Sequence, residues 1–414
     1  MIQNIVSFFL TALLFAGCGR SYQDPIAKLS PSVEKSIQLL PKITEDIDRR
    51  GSYAEKIAET LASQGCLNRA VDVVRNDPSP HGPYTLYSLA IQMSRKGNIS
   101  QARHIDAMAR ELAKSKGYSE SRMVMIQEAI ARSALKDDAG ATRSLEAITT
   151  PYDRQEAETG VIAERIRQGR EDLKVSVPLA TPAITEAWCG RALLASPSDQ
   201  SAFLEAAASN ARQTFPVQRP RLLVLCAQTA EKMGLKTESV AYFAEAESAA
   251  SVLSDRIEDG PIEKSKLAVA LAQAGQREKA REILARTHLA SRLPAAFYQP
   301  LALGRVAEGY SVLGDKEMAN EVWLEAALNA KGHVHPNARV INSIEIYLSH
   351  VRAGAEPSEK VAAVLASIDR GEGGDGPMVL PPEIEEIKNR IFKEIKEKES
   401  DSKKKSSSEN NKTN

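Results

Sequence analysis

A phrase built around a glycine recurs along this chain and restricts its fold more than any other feature. A small residue stands seven positions before the glycine, and an alanine, once a serine, stands five after it. The phrase reads Ala58, Gly65, Ala70; Ala90, Gly97, Ala102; Ala227, Gly234, Ser239; Ala268, Gly275, Ala280; and Ala307, Gly314, Ala319. Weaker copies centre on Asp137, Gly169, Pro197 and Gly354. The anchors therefore advance by about 36 residues on average, the length of a helical hairpin. Pro83, Pro220, Pro261 and Pro300 each precede an anchor by 14 residues. Proline suits the start of a helix, where its missing N–H leaves no bond unmade. Each proline marks the start of a helix A, and each glycine the turn into a helix B, where positive φ is cheap. Small residues at minus seven and plus five let the two helices approach closely. Apolar residues between these marks keep helical spacing, with no strand-like alternation. The pattern predicts an all-α, right-handed solenoid of about nine hairpins with capping helices.

The frame resembles the tetratricopeptide repeat family. Leu267, Ala268, Leu271, Gly275, Ala280 and Leu284 occupy that family's signature positions, and Val306, Ala307, Tyr310, Gly314, Ala319, Trp323 and Ala326 match them better still. The resemblance runs over roughly residues 50 to 370. It implies a concave face lined by helices A that binds peptides or protein surfaces. In this frame Tyr84, Tyr87, Arg221, Gln228, Val269 and Glu308 point toward that groove, or pack against the next repeat.

The ends carry different signals. Ile5 to Ala16 form an apolar run broken only by Ser7 and Thr11. That is too short for the roughly 20 residues that span a bilayer, but suits a signal peptide. The run closes on Leu14, Phe15, Ala16, Gly17 and Cys18, which resembles the lipobox of bacterial lipoproteins. The resemblance implies cleavage before Cys18, a lipid on its sulfur, and residence in the cell envelope, on the outer membrane if the organism has one. The alternative is a plain cleaved signal and a periplasmic or secreted protein. Residues 18–30 form a short tether, and Val33, Ile37, Leu40, Ile43 and Ile47 stripe an N-terminal capping helix.

The expected organisation is a signal peptide over 1–17, the tether over 18–30, a cap and sub-array over 31–170, a break over 171–182 and a second sub-array over 183–369. Pro178 and Pro182 create the break by pushing their preceding residues out of the α region. A Gly/Pro linker follows over 370–382, then a charged helix over 383–400 striped by Ile384, Ile387, Ile391 and Ile395. That stripe is expected to cap the last hairpin. A polar tail over 401–414 carries Lys403, Lys404 and Lys405.

No motif in the chain specifies a reaction. Lys+Arg and Asp+Glu are both 54, a balance that disfavours a dedicated nucleic-acid binder. Aromatics at 5% give a stacking site little material. Gly371 to Gly376 follows no strand and leads to Glu383, Glu385 and Glu386, which repel phosphate; it reads as a linker. Ser311 lies within a helix A rather than on a nucleophile elbow. His333 and His335 have no third ligand nearby, His350 being the nearest in sequence, so they read as loop residues. Cys189 and Cys226 each stand eight residues before an anchor, which predicts buried thiols; Cys66, beside Gly65, is expected to be exposed. The reading is a non-enzymatic scaffold without cofactor, metal or small-molecule substrate. Its partners would be proteins through the concave face and the membrane through Cys18. The alternative is a peptide- or unfolded-protein-binding accessory subunit. A buried carboxylate cluster converging with His288 or His350 in a pocket would favour an enzyme.

Overall fold

The computed structural model describes residues 29–255, 259–293 and 297–374. Cys18, the expected signal peptide and most of the expected tether, the helix expected over 383–400 and the lysine-bearing residues 403–405 lie outside them. Every regular element among the described residues is a helix. The chain divides into two compact units, one comprising Asp46–Leu179 and the other Ser30–Glu45 with Ala180 onward.

Helix α1 (Pro31–Leu39) precedes both arrays in sequence. In the first unit, α2 (Ile47–Ser63) pairs with α3 (Leu67–Arg75), α4 (His81–Arg95) with α5 (Ile99–Ser115), and α6 (Arg122–Ala134) with α7 (Asp138–Ala147). A last helix A, α8 (Pro151–Arg167), packs on α6 and α7 and has no helix B of its own. In the second unit the hairpins are α9 (Pro182–Leu194) with α10 (Pro197–Gln213), α11 (Arg219–Lys232) with α12 (Lys236–Ser251), and α13 (Asp259–Gln273) with α14 (Arg277–Ala290). They continue with α15 (Gln299–Val312) and α16 (Lys316–Gly332), then α17 (Pro336–Ala353) and α18 (Glu359–Asp369). Within each unit, each helix A packs on its own B and on the A of the next hairpin. Eight complete hairpins and the lone α8 replace the nine expected.

The repeating phrase explains both packing and turns. Ala58, Ala70, Ala90, Ala102, Ala227, Ala268, Ala280, Ala307 and Ala319 are all 0% exposed. A methyl at each crossing keeps the paired helices close, and any larger group would meet the facing helix. Each glycine anchor adopts positive φ, from 64° at Gly354 to 84° at Gly65. The residue after the glycine donates its N–H to the carbonyl five positions earlier, as in Gln276 to Leu271 at 2.9 Å. This closes the last turn of helix A and stops it. At the Asp137 anchor the left-handed residue is instead Lys136, φ 61°, while the Asp137 side chain caps α7 by accepting from Gly140 N at 2.9 Å. Pro197 is no turn residue but the first residue of α10, entered through extended Ala195 and Ser196.

The first helix, with the 3-10 turn Leu40–Lys42, departs from the expected cap on the first hairpin. It belongs to the second unit and packs along α17, burying Val33, Leu39, Leu40 and Ile43. Ser30 and Ser32 hydroxyls donate to Glu356 at 2.7 and 2.9 Å, and Lys42 pairs with Asp369. The amphipathic stripe specifies that one face is buried. The surface that takes it is α17.

Candidate interaction surfaces

Helices A carry the six side chains expected in a groove, and they meet different fates. Arg221 on α11 is exposed, and Tyr84 on α4, Gln228 on α11, Val269 on α13 and Glu308 on α15 are half-buried. Tyr87 corrects the reading: it is 1% exposed and belongs to the core. It stands ten residues before its anchor, on the side of α4 that faces its neighbours rather than solvent. Burial, then the Glu128 and Asp106 carboxylates, pushes its phenol well above the ordinary range. Two of the remaining five bridge to the next helix A. Gln228 donates to Gln273 at 3.3 Å, and Arg352 donates to Glu308 at 3.0 Å. Both bridges join position minus six of one repeat to position minus two of the next, a regularity that the repeat frame alone could have exposed.

Charged groups inside the units are matched pairwise. Glu325, 1% exposed, accepts from His288 Nε2 at 2.9 Å and from Arg292 Nε at 2.6 Å. Burial pushes its carboxyl up, but hydrogen bonds and charge from His288 and Arg292 outweigh that and hold it below the ordinary carboxylate value. A single buried carboxylate, not a cluster, meets His288 between α14 and α16, and neither Glu325 nor His288 lines a described cavity. In the first unit Glu164, also 1% exposed, pairs with Arg95 and with Arg167. His350 is fully buried, stacked on Trp323 with ring centroids 3.9 Å apart, and its Nδ1 donates to the Ile346 carbonyl at 2.8 Å. Burial lowers its pKa to about 4. These groups lock neighbouring helices together.

The cysteines divide as follows. Cys189 and Cys226 are buried thiols on adjacent helices A, with sulfurs 3.9 Å apart. Cys66 is a correction, being 5% exposed: as N-cap of α3 it turns inward directly after Gly65. His333 and His335 lie in the α16–α17 loop with rings 5.9 Å apart. Among the described residues no group of three His, Cys, Asp or Glu side chains is placed to hold a metal ion. Ser311 lies inside α15, and its carbonyl accepts from Gly314 N at 2.9 Å.

Among the described residues, two of the cavities open to solvent lie one in each unit. One, about 260 Å³, lies in the first unit between α6 and α7, lined by Met125, Glu128, Arg132, Gly140, Arg143 and Ser144 among others. The other, about 360 Å³, lies between α12 and α14 above α13. A further feature of this second unit, absent from the sequence expectations, is a row of exposed large apolar residues. Phe215, Val252, Leu293 and Val334 are 68%, 77%, 60% and 64% exposed, each just after a helix B. Their sequence spacing of 37, 41 and 41 follows the anchors and was available as a signal.

No protein-family model matches the sequence, and no curated protein matches it. Among solved structures the chain is similar to a circular tandem repeat protein with novel repeat topology and enhanced subunit contact surfaces. Identity there is 14%, over 82% of this chain and 94% of that one, with a TM-score of 0.26. The all-α repeat fold stands on this chain's own helices. Among the described residues no helix is long and apolar enough to cross a membrane.

Proposed function

We propose that the chain is a tetratricopeptide-like, non-enzymatic scaffold that binds proteins through its helices A and is held at the cell envelope by a lipid on Cys18. The observation that carries this reading is the contrast between a uniform interior and a varied exterior. Alanine fills the helix crossings of hairpin after hairpin, while minus six holds Gln228, Val269 and Glu308 in successive repeats. A repeated backbone with a changing surface suits recognition of one extended protein face. The lipobox-like Leu14 to Cys18 supports the anchoring.

Photo-crosslinking residues placed at Arg221 and Val269, with Glu278 on α14 as the control, test the binding face. Glu278 has an 87% exposed side chain, so it samples solvent freely. A discrete partner captured from the two helix A positions and not from Glu278 is expected. Equal capture from all three, or a ladder of unrelated short peptides, contradicts a scaffold; the ladder would favour the accessory-subunit alternative.

A further inference from the structure

Phe215, Val252, Leu293 and Val334 lie where helices B of the second unit end, one in each of its first four hairpins. Beside the middle two lies the groove of about 360 Å³, walled by Ala250 and Ser251 of α12, Leu267 of α13, and Ile283, Thr287 and Ala290 of α14. Val252 directly follows α12, and Leu293 follows α14 by three residues. Val252 and Leu293 close the helices that wall the groove, so two large exposed apolar side chains stand at the ends of α12 and α14 beside a groove lined by apolar and charged groups together.

The chain itself supplies a fitting occupant. The described residues end at Gly374, whose N–H donates to the Lys331 carbonyl at 3.1 Å, three residues before Val334. The C-terminal segment thus starts at one end of the row. Nine residues lie between Gly374 and Ile384, ten steps of chain that reach about 33 Å when extended. From there Ile384, Ile387, Ile391 and Ile395 recur at the spacing of one helix face. The first helix, α1, packs on α17 of the last hairpin.

We propose that the isoleucine stripe of 384–395 lies along this row and sets one isoleucine in the groove between α12 and α14. Neither the lipid anchor nor the helix A face is needed for this contact.

Amide hydrogen exchange on the intact protein tests it, comparing wild type with the Ile387→Ser, Ile391→Ser double variant. The expected result is exchange at 250–255 and 288–293 that is about tenfold slower in wild type, at all protein concentrations. The reciprocal Val252→Ser, Leu293→Ser variant should speed exchange within 383–400 by a similar factor, with α17 protection unchanged as the folding control. Equal exchange in wild type and variants overturns the proposal. So does protection that grows with concentration alongside a sedimenting dimer, since the occupant would then be a second copy. Neither outcome touches the scaffold reading, which the Arg221 and Val269 crosslinks decide separately.

Discussion

Ala280 has no room for a larger side chain: it is 0% exposed where α14 crosses α13. Leucine there should overpack the crossing and destabilise the protein by about 1–3 kcal/mol. Leucine at the adjacent Lys279, whose side chain is 46% exposed and pairs with Glu247, should change stability by less than about 1 kcal/mol. Equal unfolding midpoints in urea for the two variants would contradict the repeat register. Buried titratable groups set the acid response. His350 is held neutral with a pKa of about 4, below its ordinary 6.5, so the folded state binds fewer protons between those values. Its contribution is complete above pH 6.5 and is lost as pH falls toward 4. Glu325, held below 4.5, adds a further loss as pH drops through its lowered value. Stability should therefore fall from pH 6.5 downward, and His350→Phe should flatten the slope between 6.5 and 4. A variant with the wild-type slope would exclude His350 as the source. The alanines were legible because size and spacing alone demand them. Tyr87 was not, because a tyrosine ten residues before an anchor looks the same in sequence whether its ring faces a groove or a neighbouring helix.

Helix ends show where periodicity suffices and where it fails. Glycine anchors could be read directly, since a residue at positive φ after a helix is glycine for steric reasons. Gly275, at φ 82°, has open space where a β-carbon would sit, so Gly275→Ala should cost about 1 kcal/mol from backbone strain alone. Lys136 holds the same conformation at φ 61° without being glycine, and Lys136→Gly should stabilise by roughly 0.5–1 kcal/mol. Thermal or urea midpoints that move in the same direction for both would refute the shared turn geometry. Proline obscured one turn: Pro197 opens α10 after an extended Ala195–Ser196 link, so the glycine frame does not apply there. The periodic spacing of Phe215, Val252, Leu293 and Val334 was legible, but not their exposure, because apolar residues near a helix end read equally well as core.

For the molecule as a whole, the helical-repeat fold was legible, whereas the seat of α1 was not. Its stripe fixes which face is buried, but apolar helix faces are chemically alike, and only the fold selects α17 among them. Val33→Ser with Ile43→Ser removes two fully buried anchors from that contact. These changes should lower the unfolding midpoint of the second unit and leave exchange protection in the first unit, residues 46–179, unchanged; a loss in both would contradict the assignment of α1. The envelope scaffold that we propose rests on the surface chemistry of helices A and on the lipobox-like start. Crosslinking in living cells followed by mass spectrometry, with wild type and Cys18→Ser side by side, tests that claim most directly. One recurring envelope protein should be bound to the wild type and lost in the variant. Crosslinks to cytosolic proteins from a chain that still carries Met1 would contradict it.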